Sequence, residues 1–126
     1  MNRYVKGARG ERELMDIFYK NGYSVMRSAG SGVNSISPDI ISYKGGRGLA
    51  FECKAWAKSS LSIDVEKFDV LKGWESNTSM ETFIAWKMNN KGWFFIKLDE
   101  MSKASKSYTV TRRRAMLINR RIGAII

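Results

Sequence analysis

The amino-acid sequence predicts an α/β fold in which a mixed central β-sheet is flanked by helices. Two segments carry apolar residues at the three- and four-residue spacing of a helix, and several shorter ones alternate apolar and polar residues with the period of a strand. These segments follow one another in the order α-β-β-β-α-β-β, so that the second helix lies between the first three strands and the last two. A chain of 126 residues can bury one core, so we expect a single domain over residues 1–126.

The first half of the chain predicts a helix, a strand and a loop. The helix is predicted over 7–21 because Leu14, Ile17 and Phe18 share one face, and Gly22 is a typical residue at a helix end. A strand over 23–28 follows, and the small polar residues 29–37 indicate a loop.

A β-hairpin is predicted over 39–55, with a tight turn at 44–47. Because a hairpin folds the chain back on itself, it can bring Asp39 next to Glu52. Side chains alternate along the second strand, so Phe51 and every second residue from it face one way, whereas Glu52 and Lys54 share the other face.

The second half predicts a helix over 65–74, with Val65, Phe68 and Leu71 on its apolar face. Two more strands are predicted, over 81–87 and 93–98, joined by a turn. Their aromatic side chains are expected in the core rather than in contact with bases: Trp86, Trp93, Phe94 and Phe95.

The C-terminal part predicts a short strand over 108–111 and then a helical stripe that caps the core or forms a subunit interface. The stripe consists of Ala115, Ile118, Ile122 and Ile125. Five arginines surround it, and they are either DNA contacts or the solvated face of an amphipathic helix: Arg112, Arg113, Arg114, Arg120 and Arg121.

The composition favours a nucleic acid as partner. The formal net charge is +10 and the pI is about 10.0, values that suit a polyanion, although a merely basic solvated surface is the alternative. The absence of histidine excludes His-ligated zinc sites and histidine-dependent catalytic triads. Cys53 is the only cysteine, so no internal disulfide is possible, and its strand position predicts a buried, inert thiol.

No signal peptide is recognisable, because no apolar run follows the first six residues. No membrane span is recognisable either, because no stretch approaches 18 apolar residues. We therefore expect no membrane partner and a cytoplasmic location.

The triplet Glu52-Cys53-Lys54, with Asp39 upstream, is the pattern that points to chemistry. Two carboxylates at one edge of a sheet can hold Mg²⁺, which lowers the pKa of a bound water, and a lysine can orient that water or stabilise transition-state charge. Such a site cleaves phosphodiesters. The alternative is an ordinary surface strand, since an acid-x-Lys triplet is common in unrelated proteins.

Glu11 is the third acidic candidate, because it lies seven residues before Phe18 and so on the buried face of the first helix. An unpaired buried charge is costly, and metal coordination or an ion pair would relieve that cost. The alternative is that Glu11 lies near the helix start and interacts with the helix dipole. Arg9, Arg12 and Glu13 can be solvated on the neighbouring faces.

The segment 27–32 can bind phosphate through Arg27, hydroxyl groups and glycine backbone amides. A flexible polar loop with an ordinary arginine at the strand end explains the same residues.

Taken together, these motifs resemble the archaeal Holliday junction resolvases, within the restriction-endonuclease-like superfamily of PD-(D/E)xK nucleases. The resemblance is carried by four blocks in order: Gly7-Ala8-Arg9-Gly10-Glu11-Arg12-Glu13, Arg27-Ser28-Ala29-Gly30-Ser31, Pro38-Asp39 and Glu52-Cys53-Lys54. It covers residues 6–55 best. The loop over 32–37 looks longer than in the family, and the C-terminal helix has no counterpart that can be aligned.

The resemblance implies roles for residues and for partners. It implies that Glu11, Asp39 and Glu52 are catalytic residues that bind the metal. It implies three further catalytic residues: Lys54, Arg27 and Ser31. Arg9, Arg12, Arg27 and Ser28 are implied as DNA-binding residues. Family members are Mg²⁺-dependent homodimers, with Mn²⁺ as a substitute, that cut four-way junction DNA by paired nicks. A sliding clamp or another recombination protein is a further candidate partner.

Three hypotheses follow: a junction-resolving endodeoxyribonuclease, a related nuclease that cuts flaps, ends or duplex DNA, and a non-catalytic DNA-binding protein on the same fold. Acidic residues that face phosphates would weaken pure binding, which favours the nucleases. The same ligands serve schemes with one or two metal ions.

Overall fold

The computed structural model describes residues 3–28 and 36–126, with side chains from Arg9 onward. The helices are α1 (Arg3–Lys20), α2 (Val65–Thr78), α3 (Arg112–Ile118) and α4 (Ile122–Ile125), with a 3₁₀ helix at Leu98–Glu100. The strands are β1 (Ser24–Arg27), β2 (Ile40–Lys44), β3 (Arg47–Ala55), β4 (Ser60–Asp64), β5 (Glu81–Met88), β6 (Gly92–Lys97), β7 (Ser102–Lys103) and β8 (Ser107–Thr111).

The main sheet has five strands in the order β1-β2-β3-β5-β6. The strands β3 and β5 are parallel, and the other neighbouring pairs are antiparallel. Parallel strands need a long crossover connection, and here it contains β4 and α2. The predicted mixed sheet flanked by helices is confirmed.

The hairpin of β2 and β3 has the predicted turn. Gly45 and Gly46 have φ angles of +53° and +81°, which L-residues with side chains rarely adopt, so two consecutive glycines suit this turn. Ile40 pairs with Phe51, and this register places Asp39 across from Glu52. The predicted end of the first helix is also confirmed, since Gly22 has a φ of +89° two residues after the last residue of α1.

The core lies on both faces of the main sheet because its central strands are apolar on both sides. Phe83 and Ala85 of β5 pack with α1, whereas Ile84 and Trp86 pack with α2. The α1 side is built from Leu14, Phe18, Tyr23, Ile40, Leu49, Phe51, Phe83, Ala85, Trp93, Phe95 and Ile125. The four strand aromatics predicted in the core are all buried.

The strand predicted over 108–111 is confirmed as β8, but the sequence prediction missed its partners β4 and β7, with which it forms a second, antiparallel sheet in the order β4-β8-β7. Segment 60–64 alternates as Ser-Leu-Ser-Ile-Asp, and only Leu61 and Ile63 are buried, in the α2-side core. Two apolar residues in five are a weak strand signal, and pairing with β8 decides the conformation.

The single C-terminal helical stripe is wrong, because the chain forms two short helices there. α3 ends at Asn119, whose φ of +49° is left-handed, and α4 begins only at Ile122. The stripe is consequently divided between the two faces of the sheet: Ala115 and Ile118 pack on the α2 side, and Ile122 and Ile125 on the α1 side. It is core on both sides, as one of the two alternatives predicted.

Two of the C-terminal arginines tie this segment to the sheet rather than point to solvent. Arg120 donates to both carboxylate oxygens of Glu100, at 2.6 and 3.0 Å, and to the carbonyl of Phe95 at 3.1 Å. Arg121 donates to the carbonyl of Trp93 at 2.9 Å. These two side chains therefore have an internal structural role.

Among the helices of residues 3–28 and 36–126, none has the length and apolar character that crossing a membrane requires.

Candidate active site

Asp39 and Glu52 lie together at the junction of β2 and β3, as the hairpin predicted. The Asp39 Oδ2 atom accepts the backbone N–H of Cys53 at 2.9 Å. This bond joins the residue before β2 to the strand that carries Glu52, so the carboxylate of Asp39 is held beside that strand. Both acidic residues are buried.

Glu52 is the carboxylate of the site whose environment is most perturbed. Its residue is only 6% exposed, and burial, with the neighbouring Asp39 charge as a second cause, raises its pKa from 4.5 to about 7. Lys67 and Lys54 act in the opposite direction. Within the described residues, the buried Oε1 atom of Glu52 accepts no hydrogen bond. A buried carboxylate oxygen left in this way is suited to a cation.

Glu11 is buried near the middle of α1 and is paired with Arg27. The Arg27 Nε atom donates to Glu11 Oε2 at 2.5 Å. Burial raises the pKa of Glu11, and the hydrogen bond from Arg27 opposes this effect. This ion pair is one of the two interactions predicted to relieve the cost of burying Glu11, the other being metal coordination. The helix-dipole alternative is wrong, because α1 begins at Arg3, two turns before Glu11.

The side chain of Lys54 lies near an aromatic ring at the end of β3. Its Nζ atom is 5.9 Å from the ring centre of Trp56, and Lys58 Nζ lies 4.8 Å from the same centre. The charge of Lys54 also lowers the pKa of Glu52, which places the lysine within electrostatic reach of that carboxylate. The predicted juxtaposition of Asp39, Glu52 and Lys54 is thus present.

The side chain of Cys53 packs against the α1 side of the core. Burial raises the pKa of the thiol well above its usual value, and the charge of Asp39 adds to the effect. A neutral thiol is a poor nucleophile, which fits the predicted inert cysteine.

Ser28 and Ser37 close the stem of the loop that carries the other predicted residues. Their Oγ atoms share a hydrogen bond of 2.9 Å, and the Ser28 backbone N–H donates to the Asp39 carbonyl at 2.8 Å. The stem therefore fixes Asp39 relative to β1. Ser31, predicted as a catalytic residue, and most of the loop over 32–37 lie outside the described residues.

The predicted DNA-binding arginines of α1, Arg9 and Arg12, are exposed. The expectation that Glu13 is solvated beside them is wrong. Glu13 is half-buried, accepts the indole N–H of Trp93 at 3.0 Å and forms an ion pair with Lys87. These partners are about 75 residues away along the chain, so spacing within the helix could not indicate them.

Lys67 is the site residue that the sequence prediction missed. It lies in the first turn of α2 with its side chain 19% exposed, and its Nζ atom is 3.6 Å from Glu52 Oε1. The same atom donates to the Ser37 carbonyl at 2.8 Å. Its neighbour Phe68 belongs to the predicted apolar face, but a lysine beside such a face carries no local signal of a partner on another element.

The donor set fits a divalent cation in part. Asp39 and Glu52 supply oxygen ligands of the type that Mg²⁺ prefers, and the unbonded Oε1 of Glu52 can accept a cation. Glu11 interacts with Asp39 but is held by Arg27. Residues 3–28 and 36–126 contain no group of three or more acidic, cysteine or histidine residues arranged to hold a metal.

The arrangement of the sheet and helices is a restriction-endonuclease-like fold. A bacterial homing endonuclease, I-Ssp6803I, shares the fold with a TM-score of 0.53 at 11% identity, over 88% of this chain and 76% of that one.

The particular family follows from the whole chain, since the archaeal Holliday junction resolvase (Hjc) model matches residues 2–124. The chain belongs to this family. It is 34% identical to the crossover junction endodeoxyribonuclease Hjc of Methanocaldococcus jannaschii over 89% of this chain and 80% of the relative. It is 29% identical to the Archaeoglobus fulgidus protein of the same name, over 83% and 78%. The structure of A. fulgidus Hjc, a Holliday junction resolvase, matches with a TM-score of 0.79 and 25% identity over 89% and 88% of the two chains.

Proposed function

We propose that this protein is a structure-selective, metal-dependent endodeoxyribonuclease that resolves four-way DNA junctions by paired symmetric nicks. The observation that carries the proposal is the buried pair of Asp39 and Glu52 beside Lys54, in a chain of the resolvase family. The curated relatives are named crossover junction endodeoxyribonucleases. We take residues 1–126 as one nuclease domain.

The proposed ligands of the metal are Asp39 and Glu52, with Glu11 as a third once its carboxylate leaves Arg27. Mg²⁺, or Mn²⁺ in its place, supplies a Lewis acid and a bound water of lowered pKa. The hydrogen bond from the Cys53 amide holds the Asp39 carboxylate in place, where it would serve as a ligand of the ion. Lys54 shares a face with Glu52, where its ammonium can stabilise charge on the phosphoryl oxygens in the transition state.

DNA binding is proposed to use the exposed cations of α1 and the loop stem. Arg9 and Arg12 are exposed, and Ser28 lies at the stem beside Asp39. Such contacts to phosphates position the DNA without reading its sequence, as a structure-selective enzyme requires. Arg27 is proposed to act both on DNA and on Glu11, whereas Ser31 keeps its proposed catalytic role on family resemblance alone.

A homodimer is proposed because the two cuts must be symmetric. A four-way junction has approximate two-fold symmetry, and a C2 dimer presents two identical sites related by the same operation. We propose a cytoplasmic location from the DNA substrate, and a sliding clamp or another recombination protein as a further partner.

The test is a nicking assay with protein in excess over DNA, at stated salt because phosphate binding depends strongly on salt. Labelled four-way junction, flap and duplex are each incubated with Mg²⁺ or with EDTA. We expect symmetric, Mg²⁺-dependent cuts in the junction. Equal cutting of flap or duplex would leave a nuclease of different selectivity, and tight junction binding without cutting in any divalent ion would indicate a non-catalytic binding protein.

Single substitutions test the assigned carboxylates. Asp39→Asn and Glu52→Gln are expected to abolish cutting while junction binding survives, because both remove a ligand charge without removing a phosphate contact. Asp69→Asn, an exposed position on α2, is the matched control and should cut like the wild type. Loss of binding together with cutting would contradict the division of roles.

A further inference from the structure

Lys67 joins three separate elements of the candidate active site. It belongs to α2, its ammonium lies 3.6 Å from the buried Oε1 of Glu52 on β3, and it donates to the carbonyl of Ser37 at 2.8 Å. The Lys67 side chain is 19% exposed, so the contact is largely shielded from water. Shielding strengthens the interaction between two charges relative to an exposed pair.

The Ser37 carbonyl is part of the stem that positions Asp39. Ser37 shares a hydrogen bond with Ser28, and the Ser28 N–H donates to the Asp39 carbonyl. A cation that holds the Ser37 carbonyl therefore restrains the backbone two residues before one carboxylate and also faces the other. Lys67 thus contacts Glu52 directly and is connected to Asp39 through the backbone of the stem.

The contact with Glu52 has a second consequence. Its Oε1 atom is where a metal ion would gain most, because within the described residues it accepts no hydrogen bond. Two cations cannot share one carboxylate oxygen without repulsion, so a divalent ion must weaken the interaction with Lys67. The bond to Ser37 does not compete with the ion and can persist.

We propose that Lys67 is a positioning residue, which holds the loop stem and serves as the counter-ion of Glu52 until a divalent metal displaces it from that carboxylate. The inference rests on the proposed function for the metal-dependent cleavage. It assigns no contact between Lys67 and the DNA.

The test combines direct metal binding with cleavage. Mn²⁺ binding to the DNA-free protein is measured by electron paramagnetic resonance at pH 8, and junction cutting is measured under single-turnover conditions at saturating Mn²⁺. Lys67→Met should bind Mn²⁺ more tightly, on the order of tenfold, because a competing charge is lost. It should also cut more slowly, by about 10²-fold, because the stem and Glu52 are no longer held in position.

Two further variants separate position from charge. Lys67→Arg keeps the charge and should keep wild-type Mn²⁺ affinity with an intermediate cutting rate. Lys72→Met is the matched control, since Lys72 lies on the same helix and pairs with Glu75 at 3.9 Å, and it should match the wild type in both measurements. If Lys67→Met fails to fold, Lys67→Gln removes the same charge and takes its place.

Unchanged or weaker Mn²⁺ binding by Lys67→Met would overturn the counter-ion role, and an unchanged cutting rate would overturn the positioning role. Failure of the wild type to bind Mn²⁺ would overturn the inference as a whole. A wild type that binds Mn²⁺ but does not cut the junction would instead refute the proposed function, while the shift in metal affinity would still be measured.

Discussion

The buried carboxylate of Glu52 should make the metal-free protein less stable as pH rises, and Glu52→Gln should remove that dependence. The folded protein has a Glu52 pKa of about 7, against an ordinary value of 4.5. Below pH 4.5 the group is protonated in both states and costs nothing. Between pH 4.5 and 7 only the unfolded chain ionises, so the free energy of unfolding falls as pH rises, and above pH 7 the full cost is present.

The magnitude follows from the size of the rise. A change from 4.5 to about 7 corresponds to about 3 kcal/mol of stability lost between acid and alkaline pH. Glu52→Gln keeps the size of the side chain and carries no charge at any pH. The stability of the variant relative to the wild type should therefore increase by up to about 3 kcal/mol between pH 4.5 and pH 8.

The assay is urea unfolding of both proteins in EDTA at pH 4.5 and pH 8. Glu66→Gln, the same change at an exposed position on α2, is the control and should show a difference that hardly depends on pH. Mg²⁺ should stabilise the wild type at pH 8, since it binds only the folded protein, and should stabilise Glu52→Gln much less. If Glu52→Gln changed the free energy of unfolding equally at both pH values, the reasoning would be refuted. Ionisation of the buried carboxylate would then not destabilise the folded protein.

Two further predictions concern ion pairs that the fold brings together. Arg27→Met should lower the free energy of unfolding at neutral pH by roughly 1–3 kcal/mol, because it leaves the Glu11 carboxylate buried without its donor. Urea unfolding of this variant and of the double variant Glu11→Gln/Arg27→Met measures the effect. A double variant no more stable than Arg27→Met would contradict the prediction. Arg120→Met should cost a similar roughly 1–3 kcal/mol through its lost bonds to Glu100 and Phe95. Junction binding by Arg120→Met should depend on salt as strongly as binding by the wild type does. A weaker salt dependence would show that Arg120 contacts phosphate instead.

Local sequence patterns were sufficient wherever a few neighbouring residues determine the backbone conformation. The consecutive glycines at 45 and 46 predicted a tight hairpin turn, and Gly22 predicted the end of the first helix, because both need backbone angles that glycine tolerates. The alternation of residues along β3 also predicted correctly that Phe51 and Glu52 lie on opposite faces of the strand. These signals depend on a few neighbouring residues, so no tertiary information was needed.

Weak local signals failed for strand β4 and at the C-terminus. Strand β4 has only two buried residues, and its conformation depends on pairing with β8, nearly 50 positions later in the chain. At the C-terminus, the spacing of Ala115, Ile118, Ile122 and Ile125 was helical, yet these residues serve opposite faces of the sheet. Periodicity describes one helix face and carries no information on which core that face meets.

The order of motifs by itself predicted that Asp39, Glu52 and Lys54 lie together, since they are joined by a hairpin whose turn is local. The tertiary structure alone decided what surrounds them. Glu11 meets Arg27 from another element, and Lys67 of α2 reaches both Glu52 and the Ser37 carbonyl. Charges and hydrogen bonds act through space, so their partners depend on how helices and sheet pack rather than on spacing along the chain.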